Sequence, residues 1–495
     1  MANEQKNAVH HRGQWASKFG FLMAAVGSAV GLGNIWGFPY KMGKSGGFAF
    51  LVIYLALALM VGVMVMLGEL ALGRKTRQGG VGTWRFLTKR FAWIGYVSVA
   101  ASFFIMAFYS VLGGMIMKYM VAFAQALFNG GANFAGVTSG AYFGGFICNA
   151  PELLTYFAIF QAISLVIVMG GVESGIERFN KYALPALVCI MIGLAAYILS
   201  LPGALGGIEF MFRPNLAVFS DPEIGFFKVL KTAAGQMFFS LSLGCSCMIT
   251  YGSYLSNDQD LSRDMYLIPL TDTFVALLAG IVVMPACFAF GHAPAAGPSL
   301  LFVSLHEVFV SGIGGKVGFF AGFMFYFLVF LAAVTSSVSM LEVNTTYVLD
   351  RQRERGGRPN RVLATMLMGG LIFLTGIPVA LDGLGGGVAG GAVLNSPGVM
   401  LGMEKIPVAL DCWLDLYDML SEGVIMPLSS LLMSLLIGWK WGIKLLADEV
   451  AVTPGAELKG QLLISFCFRF VVPVILSVVL WTQIQDFGLL QLFSF

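Results

Sequence analysis

Charge is scarce in this sequence. Asp, Glu, Lys and Arg make up 11% of its 495 residues and hydrophobic residues 58%, against roughly 25% and 45–50% in ordinary globular chains. That imbalance excludes a soluble enzyme and a disordered chain. A basic excess is lacking too. The 29 Lys and Arg stand against 26 Asp and Glu, a formal charge of +3, which leaves no basic surface for nucleic acid. Metal-ligand spacing is missing among the cysteines: Cys189, Cys245, Cys247, Cys287 and Cys467 lie inside apolar runs and read as small packed hydrophobes. Cys148 and Cys412 fall near expected external loops and form the one candidate disulfide. No cleavable signal is expected either, because the apolar run beginning near Trp15 is too long and glycine-broken for a signal core.

What the chain has instead is long stretches free of charge. Phe48 to Leu67, Ala92 to Met117, Leu153 to Val172, Val317 to Leu341 and Val362 to Leu381 can each cross a hydrocarbon layer of about 30 Å. The pattern predicts an all-α integral membrane protein with eleven spans, at 15–41, 47–71, 92–125, 153–171, 182–203, 227–255, 262–291, 317–349, 362–380, 411–439 and 461–484. Arg74, Lys75, Arg77, Arg85, Lys89 and Arg90 follow span 2, and Arg351, Arg353, Arg355, Arg358 and Arg361 follow span 8. Counting them as loop charges places the N-terminus in the cytoplasm and, with an odd number of spans, Phe495 outside. The glycine-rich stretch after Asp382 lacks the Lys-Ser/Thr ending of a phosphate cradle and is expected to be a flexible loop.

Two spans are interrupted. Span 1 contains Gly27, Gly31, Gly33, Asn34, Gly37 and Pro39; span 6 contains Ser240, Ser242, Gly244 and Ser246. Backbone released from a helix survives at membrane depth only around a protein-lined cavity. Spans 1 and 6 open two five-span halves, 15–203 and 227–439, and broken helices at matching places mark an inverted-repeat transporter with its site at the midplane. A tail at 1–14, an external loop at 204–226 and span 11 within 440–495 complete the expected organisation. Span 8 adds Thr335-Ser-Ser-Val-Ser339 and Glu342, more polarity than a lipid-facing helix carries. Plain helix packing through Gly27-x-x-x-Gly31 is the competing reading for span 1 alone.

At these residues the chain resembles the neurotransmitter:sodium symporter family, its bacterial amino-acid branch most closely. The matching stretches are Gly27 to Trp36 with Phe38-Pro-Tyr40, Gly68 to Arg74, Gly175 to Phe179, Phe238 to Gly244, Thr250 to Tyr254 with Asp258 to Asp260, and Ala332 to Ser336. The resemblance implies a leucine-transporter-type fold and two sodium sites. The first would use Ala29, Asn34, Ser240 and a span 7 group at Thr271 or Asp272. The second would use the carbonyls of Gly27, Val30 and Ala332 with the hydroxyls of Thr335 and Ser336. A substrate carboxylate would meet the amides near Leu32 and Gly33 and the Tyr109 hydroxyl; its amino group would meet Ala29, Phe239, Ser240 and Ser242. Ile105, Tyr109, Phe239, Cys245, Ser336 and Met340 would line the side-chain pocket. Gly31, where amine carriers have Asp, implies a substrate that brings its own carboxylate.

The resemblance also implies gates, and here the chain departs from the pattern. Arg12, Trp15 and Asp350 match the inner gate, and Gln236 and Asp418 the outer one, but Gly37 replaces the family's gate arginine. Lys41, one turn along, is expected to bridge loosely to Asp418 and leave the vacated space wide. Asp272 resembles the buried acid of chloride-independent members. The reading that follows is a sodium-coupled importer of a neutral amino acid, membrane-embedded, with two sodium ions, no chloride requirement, no enzyme activity, no nucleic-acid partner and an open oligomeric state. A proton-coupled carrier of the same fold and a non-transporting amino-acid sensor are the alternatives.

Overall fold

The computed structural model describes residues 13–222, 224–292, 299–402 and 410–486. Among them every regular element is helical. Among the described residues nine helices are long and apolar enough to cross a membrane: Phe48–Thr76, Trp93–Asn129, Ala150–Met169, Val172–Leu199, Leu261–Ala289, Gly315–Glu354, Arg361–Leu381, Trp413–Trp441 and Gln461–Gln485. They correspond to spans 2 to 5 and 7 to 11. Span 1 is the pair Lys18–Ala29 and Gly33–Lys44, bent by 47°. Span 6 is Gly225–Ser240 and Cys247–Gly252. Phe495 and Arg12 lie outside the described residues.

Both interruptions have local causes. Val30 takes an extended conformation, φ −76° and ψ 99°, which ends the first half of span 1. In span 6, Ser242, Gly244 and Ser246 all have positive φ, at 52°, 80° and 66°, so no helix can continue through them. The freed groups are not left bare. Glu69 of span 2 accepts from the Gly244 amide at 2.6 Å, and Ser429 of span 10 donates to the Gly244 carbonyl. A side chain on Gly244 would collide with the Met426 carbonyl. Spans 3 and 8 pack along each other more extensively than any other pair and wall the broken halves on one side.

Three readings of the sequence are decided here. Cys148 and Cys412 are both free thiols; the Cys148 sulfur donates to the Gly390 carbonyl at 3.4 Å, and Cys412 instead accepts from the Asp415 amide as a helix cap. The stretch after Asp382 is organised rather than loose up to residue 402: the buried Asp382 carboxylate accepts from the amides of Leu384 at 3.0 Å and Trp413 at 2.7 Å. Burial raises this carboxyl to about 6 against the pull of those amides. Third, two of the supposed loop charges are structural. Arg74 is 1% exposed and reaches Glu449 at 2.8 Å and the Gln259 carbonyl at 2.7 Å, and Arg361 pairs with buried Glu342.

The loop helix Leu300–Ile313 is tied to the helix Ser139–Ile147 by His306, whose Nδ1 stands 2.9 Å from the Ser139 hydroxyl. Burial pushes this imidazole down to about 4, so it packs as a neutral ring among Tyr119, Phe123, Phe134 and Tyr142.

Candidate functional site

The two breaks face each other across one cavity. Ser28, Ala29, Gly31 and Gly33 of span 1, Ile105 and Tyr109 of span 3, Phe239, Ser242 and Cys245 of span 6, Ser336 and Met340 of span 8, and Met426 of span 10 line it. Of the expected substrate residues, only Leu32 and Ser240 are not among its walls. Leu32 acts through its amide, which donates to the Tyr109 hydroxyl at 3.0 Å. Ser28 and Met426 were not foreseen; the methionine adds a flexible apolar surface. No lining residue carries a fixed charge. The freed backbone of spans 1 and 6 borders the cavity, with Ser242 donating to the Ser28 carbonyl at 2.9 Å. Ile105, Cys245, Met340 and Met426 add uncharged side chains to its walls. A ligand with a polar head and an uncharged side chain suits such walls.

Gly31 has a steric reason to be glycine. A Cβ there would collide with Ser336 Oγ and lie 2.7 Å from the Tyr109 oxygen. An aspartate at this position has no room, which agrees with a substrate that supplies the carboxylate.

Beside the cavity, Asp272 of span 7 is fully buried. Its carboxylate accepts from Asn34 Nδ2 at 2.7 Å, Ser240 Oγ at 2.9 Å and Tyr54 Oη at 3.3 Å. Asn34 turns its own oxygen toward the Gly31 amide at 3.0 Å. Among the described residues no salt bridge reaches Asp272. A buried carboxylate held only by neutral donors is costly unless a cation accompanies it, and Asp272 and Ser240 present oxygens of the kind a sodium ion takes, whereas Asn34 offers this group its amide nitrogen and keeps its oxygen on the Gly31 amide. Thr271 does not belong to this group. Its hydroxyl donates to the Leu267 carbonyl of its own helix at 2.7 Å, because adjacent helical residues point about 100° apart and Asp272 takes the inward direction.

A second oxygen cluster joins span 1 to span 8. Thr335 Oγ1 lies 2.9 Å from the Ala332 carbonyl and 3.2 Å from that of Val30. Ser336 Oγ lies 3.3 Å from the Val30 carbonyl and 3.4 Å from that of Gly27. Oxygens at about 2.3–2.6 Å from one hard cation stand roughly 3–3.7 Å from their neighbours. The five oxygens are of the kind a sodium ion takes, and in this structure the two hydroxyls hydrogen-bond the three carbonyls, with Ser336 Oγ nearest the Ser28 carbonyl at 3.1 Å.

Closing contacts occupy both mouths. At the mouth expected to face inward, Trp15 donates from its indole to the Tyr251 carbonyl at 3.1 Å, and Asp350 accepts from the Gly79 amide at 2.8 Å and pairs with Arg353 at 3.1 Å. Sequence reasoning missed a neighbouring network: Glu342, 0% exposed, accepts from Tyr254 at 2.5 Å and pairs with Arg361, which also donates to the Val168 carbonyl at 2.8 Å. The Glu342 side chain was visible as a polar residue in span 8; its partner was hidden among charges assigned to a loop.

The other mouth corrects the expected bridge. The direct partner of Lys41 is Glu422, at 2.5 Å; Asp418 stands beside that acid, hydrogen-bonded to it and within electrostatic reach of Lys41. Span 10 widens into a π-helical turn over Met419–Ile425, and Glu422 swings toward span 6, where Gly235 leaves it room. The space vacated at Gly37 is not wide either. Gln236, which donates to the Gly33 carbonyl at 2.7 Å, sets its oxygen 2.9 Å from where a Gly37 Cβ would stand. Lys41 also lies over the Phe239 ring, 5.8 Å from its centre, so this gate rests on a cavity wall. With side chains 20% and 9% exposed, the Lys41–Glu422 pair is expected to couple by about 1 kcal/mol. A double-mutant cycle of Lys41→Met with Glu422→Gln on substrate affinity measures it. Coupling of Lys41 to Asp418 that equals or exceeds this value would restore the expected bridge.

Fold and site together define a membrane carrier of the leucine-transporter type. The chain belongs to the sodium:neurotransmitter symporter family, whose model matches residues 12–130 and 147–388. It is 35% identical over 468 residues to an uncharacterised sodium-dependent transporter of Bacillus subtilis, YhdH, covering 94% of this chain and 96% of that protein. The crystal structure of MhsT in complex with L-phenylalanine superposes with a TM-score of 0.81 at 35% identity, covering 96% of this chain and all of the other. A human protein, the sodium-dependent neutral amino acid transporter SLC6A17, is 30% identical over 314 residues, 57% of this chain and 42% of its own length.

Proposed function

We propose that the protein imports a neutral, hydrophobic amino acid together with two sodium ions by alternating access. The observation that carries this reading is the placement of two oxygen clusters, around Asp272 and around Thr335, against one cavity without fixed charge. The L-phenylalanine in the MhsT complex and the neutral amino acids named for SLC6A17 support the substrate class. The chemistry is transport rather than catalysis. Its driving force is ionic: each charge moving inward gains about 2.3 kcal/mol per 100 mV, so two ions supply roughly 4.6 kcal/mol from voltage alone. Movement of spans 1, 2, 6 and 7 against the rest would open each mouth in turn, with the N-terminus cytoplasmic and the bacterial-type plasma membrane as location. Asp272 supplies the fixed negative charge, so chloride is not required.

Purified protein in liposomes tests this directly. Uptake of a neutral amino acid is expected with an inward sodium gradient and not with a proton gradient alone. Proton-driven uptake without sodium would favour the proton-coupled carrier, and binding without uptake the sensor. Thr335→Val keeps the shape and deletes one of five ligands, so half-saturation by sodium is expected to rise about tenfold or more. An unchanged sodium dependence in that variant would remove Thr335 from the ion site.

A further inference from the structure

One polar group next to the second cluster has no partner there. Asn180 of span 5 is 0% exposed. Its side-chain amide nitrogen donates to the Ile176 carbonyl at 2.9 Å, one turn back in its own helix. That bond settles which way the amide faces, since the reversed orientation would set two oxygens against each other. The remaining atom, Oδ1, is buried without any hydrogen-bond donor. It points at span 1 and rests in van der Waals contact with Gly27, so closely that a Cβ on that residue would collide with it. Thr335 flanks the same spot, its Cβ 3.5 Å from where the Gly27 Cβ would be.

A buried amide oxygen without a donor keeps its full desolvation penalty, and such an atom calls for an explanation. Packing alone does not supply one, because leucine would fill the volume without the desolvation. Gly27, which it touches, and Thr335, which packs on the same side of Gly27, are each expected to contribute an oxygen to the cage. A cation within reach is the partner that a donor-free carbonyl-type oxygen suits, and sodium prefers that ligand. Glycine at position 27 then has a purpose: it lets the span 5 oxygen approach. We propose that Asn180 Oδ1 is an additional ligand of the second sodium ion, supplied by span 5 to a cage otherwise built from spans 1 and 8. The inference rests on the two-sodium reading and extends it to a third helix. Sodium binding would thereby tie span 5 to the broken half of span 1, and loss of the ion would release that tie.

The test uses the full-length transporter in detergent without amino acid. Its melting temperature is followed as sodium chloride replaces choline chloride at constant ionic strength, because a ligand of the folded state raises stability with its own saturation curve. Asn180→Leu deletes the oxygen at similar volume and is expected to raise the half-saturating sodium concentration roughly three- to tenfold. Asn180→Asp keeps shape and oxygen and adds charge, so it is expected to lower that concentration at pH 8. A merely structural asparagine predicts something else: a lower melting temperature in choline, with an unchanged sodium midpoint in both variants. That result would overturn the proposal. If the leucine variant does not fold, the aspartate variant decides alone, and an unshifted midpoint there counts against Asn180. Thr335→Val run alongside separates the two levels, for an unshifted midpoint in Thr335→Val removes the ion site itself, whereas a shift there with none at position 180 removes only this ligand.

Discussion

Asp272→Ser is expected to abolish sodium-driven uptake in gluconate medium and to recover part of it when chloride is restored. The wild type should be indifferent to the exchange. The magnitude follows from charge. At an effective dielectric constant of about 20, a unit charge about 4 Å from a cation contributes roughly 4 kcal/mol, or about a thousandfold in ion affinity. The hydrogen bonds from Asn34, Ser240 and Tyr54 are neutral donors and cannot substitute for it. Serine leaves room at the same place, so a chloride ion can take the donors that the carboxylate held. Asp272→Asn serves as the control: it keeps the volume, loses the charge and leaves less space for an anion, so uptake should fall without a comparable chloride rescue. Sodium-dependent uptake of a radiolabelled amino acid in proteoliposomes, in gluconate and in chloride, reads all three. A serine variant that transports normally in gluconate would show that Asp272 does not balance the ions.

The residues that break helices were the legible part of the site. Gly31, Gly33, Ser242 and Gly244 declare themselves because a membrane helix has no other use for so many small and hydroxyl groups at one depth. Helix phase was harder to read. Span 7 is apolar on every side, so nothing in its pattern says whether Thr271 or Asp272 faces span 1, and the structure turns only Asp272 that way. The gate at Lys41 failed for a related reason. Span 10 carries a π-helical turn over Met419–Ile425 that a regular 3.6-residue repeat does not foresee, and the direct partner of Lys41 lies inside it, with Asp418 just before it beside the pair. Arg74 and Arg361 look like loop charges by composition and prove to be buried ties; their partners Glu449 and Glu342 lie hundreds of residues or a whole turn region away. Asn180 stood next to a matching motif, yet an asparagine in a helix acquires meaning only when Gly27 is seen against it.

Gly31→Ala is expected to cost binding far more than Gly37→Ala. At position 31 the new methyl group would collide with Ser336 Oγ and lie 2.7 Å from the Tyr109 oxygen. The serine can escape by rotating, but then it leaves the carbonyls of Gly27 and Val30 and the sodium cage loses a hydroxyl. The tyrosine has less freedom. It is 1% exposed, packs against Phe239 at 6.4 Å between ring centres, and accepts from the Leu32 amide. Overpacking costs about 1–3 kcal/mol and a lost ligand about another 1 kcal/mol, so the sum of roughly 2–4 kcal/mol corresponds to about 30- to 1,000-fold weaker binding. At Gly37 the nearest atom is the end of the Gln236 side chain, at 2.9 Å, and that flexible amide can give way, so Gly37→Ala should stay within about threefold. Thermal shift in saturating sodium by whichever neutral amino acid stabilises the wild type, measured for both variants, sets one against the other. Comparable losses, or a Gly31→Ala protein that binds as the wild type does, would mean that the cavity between the broken spans is not where the amino acid sits.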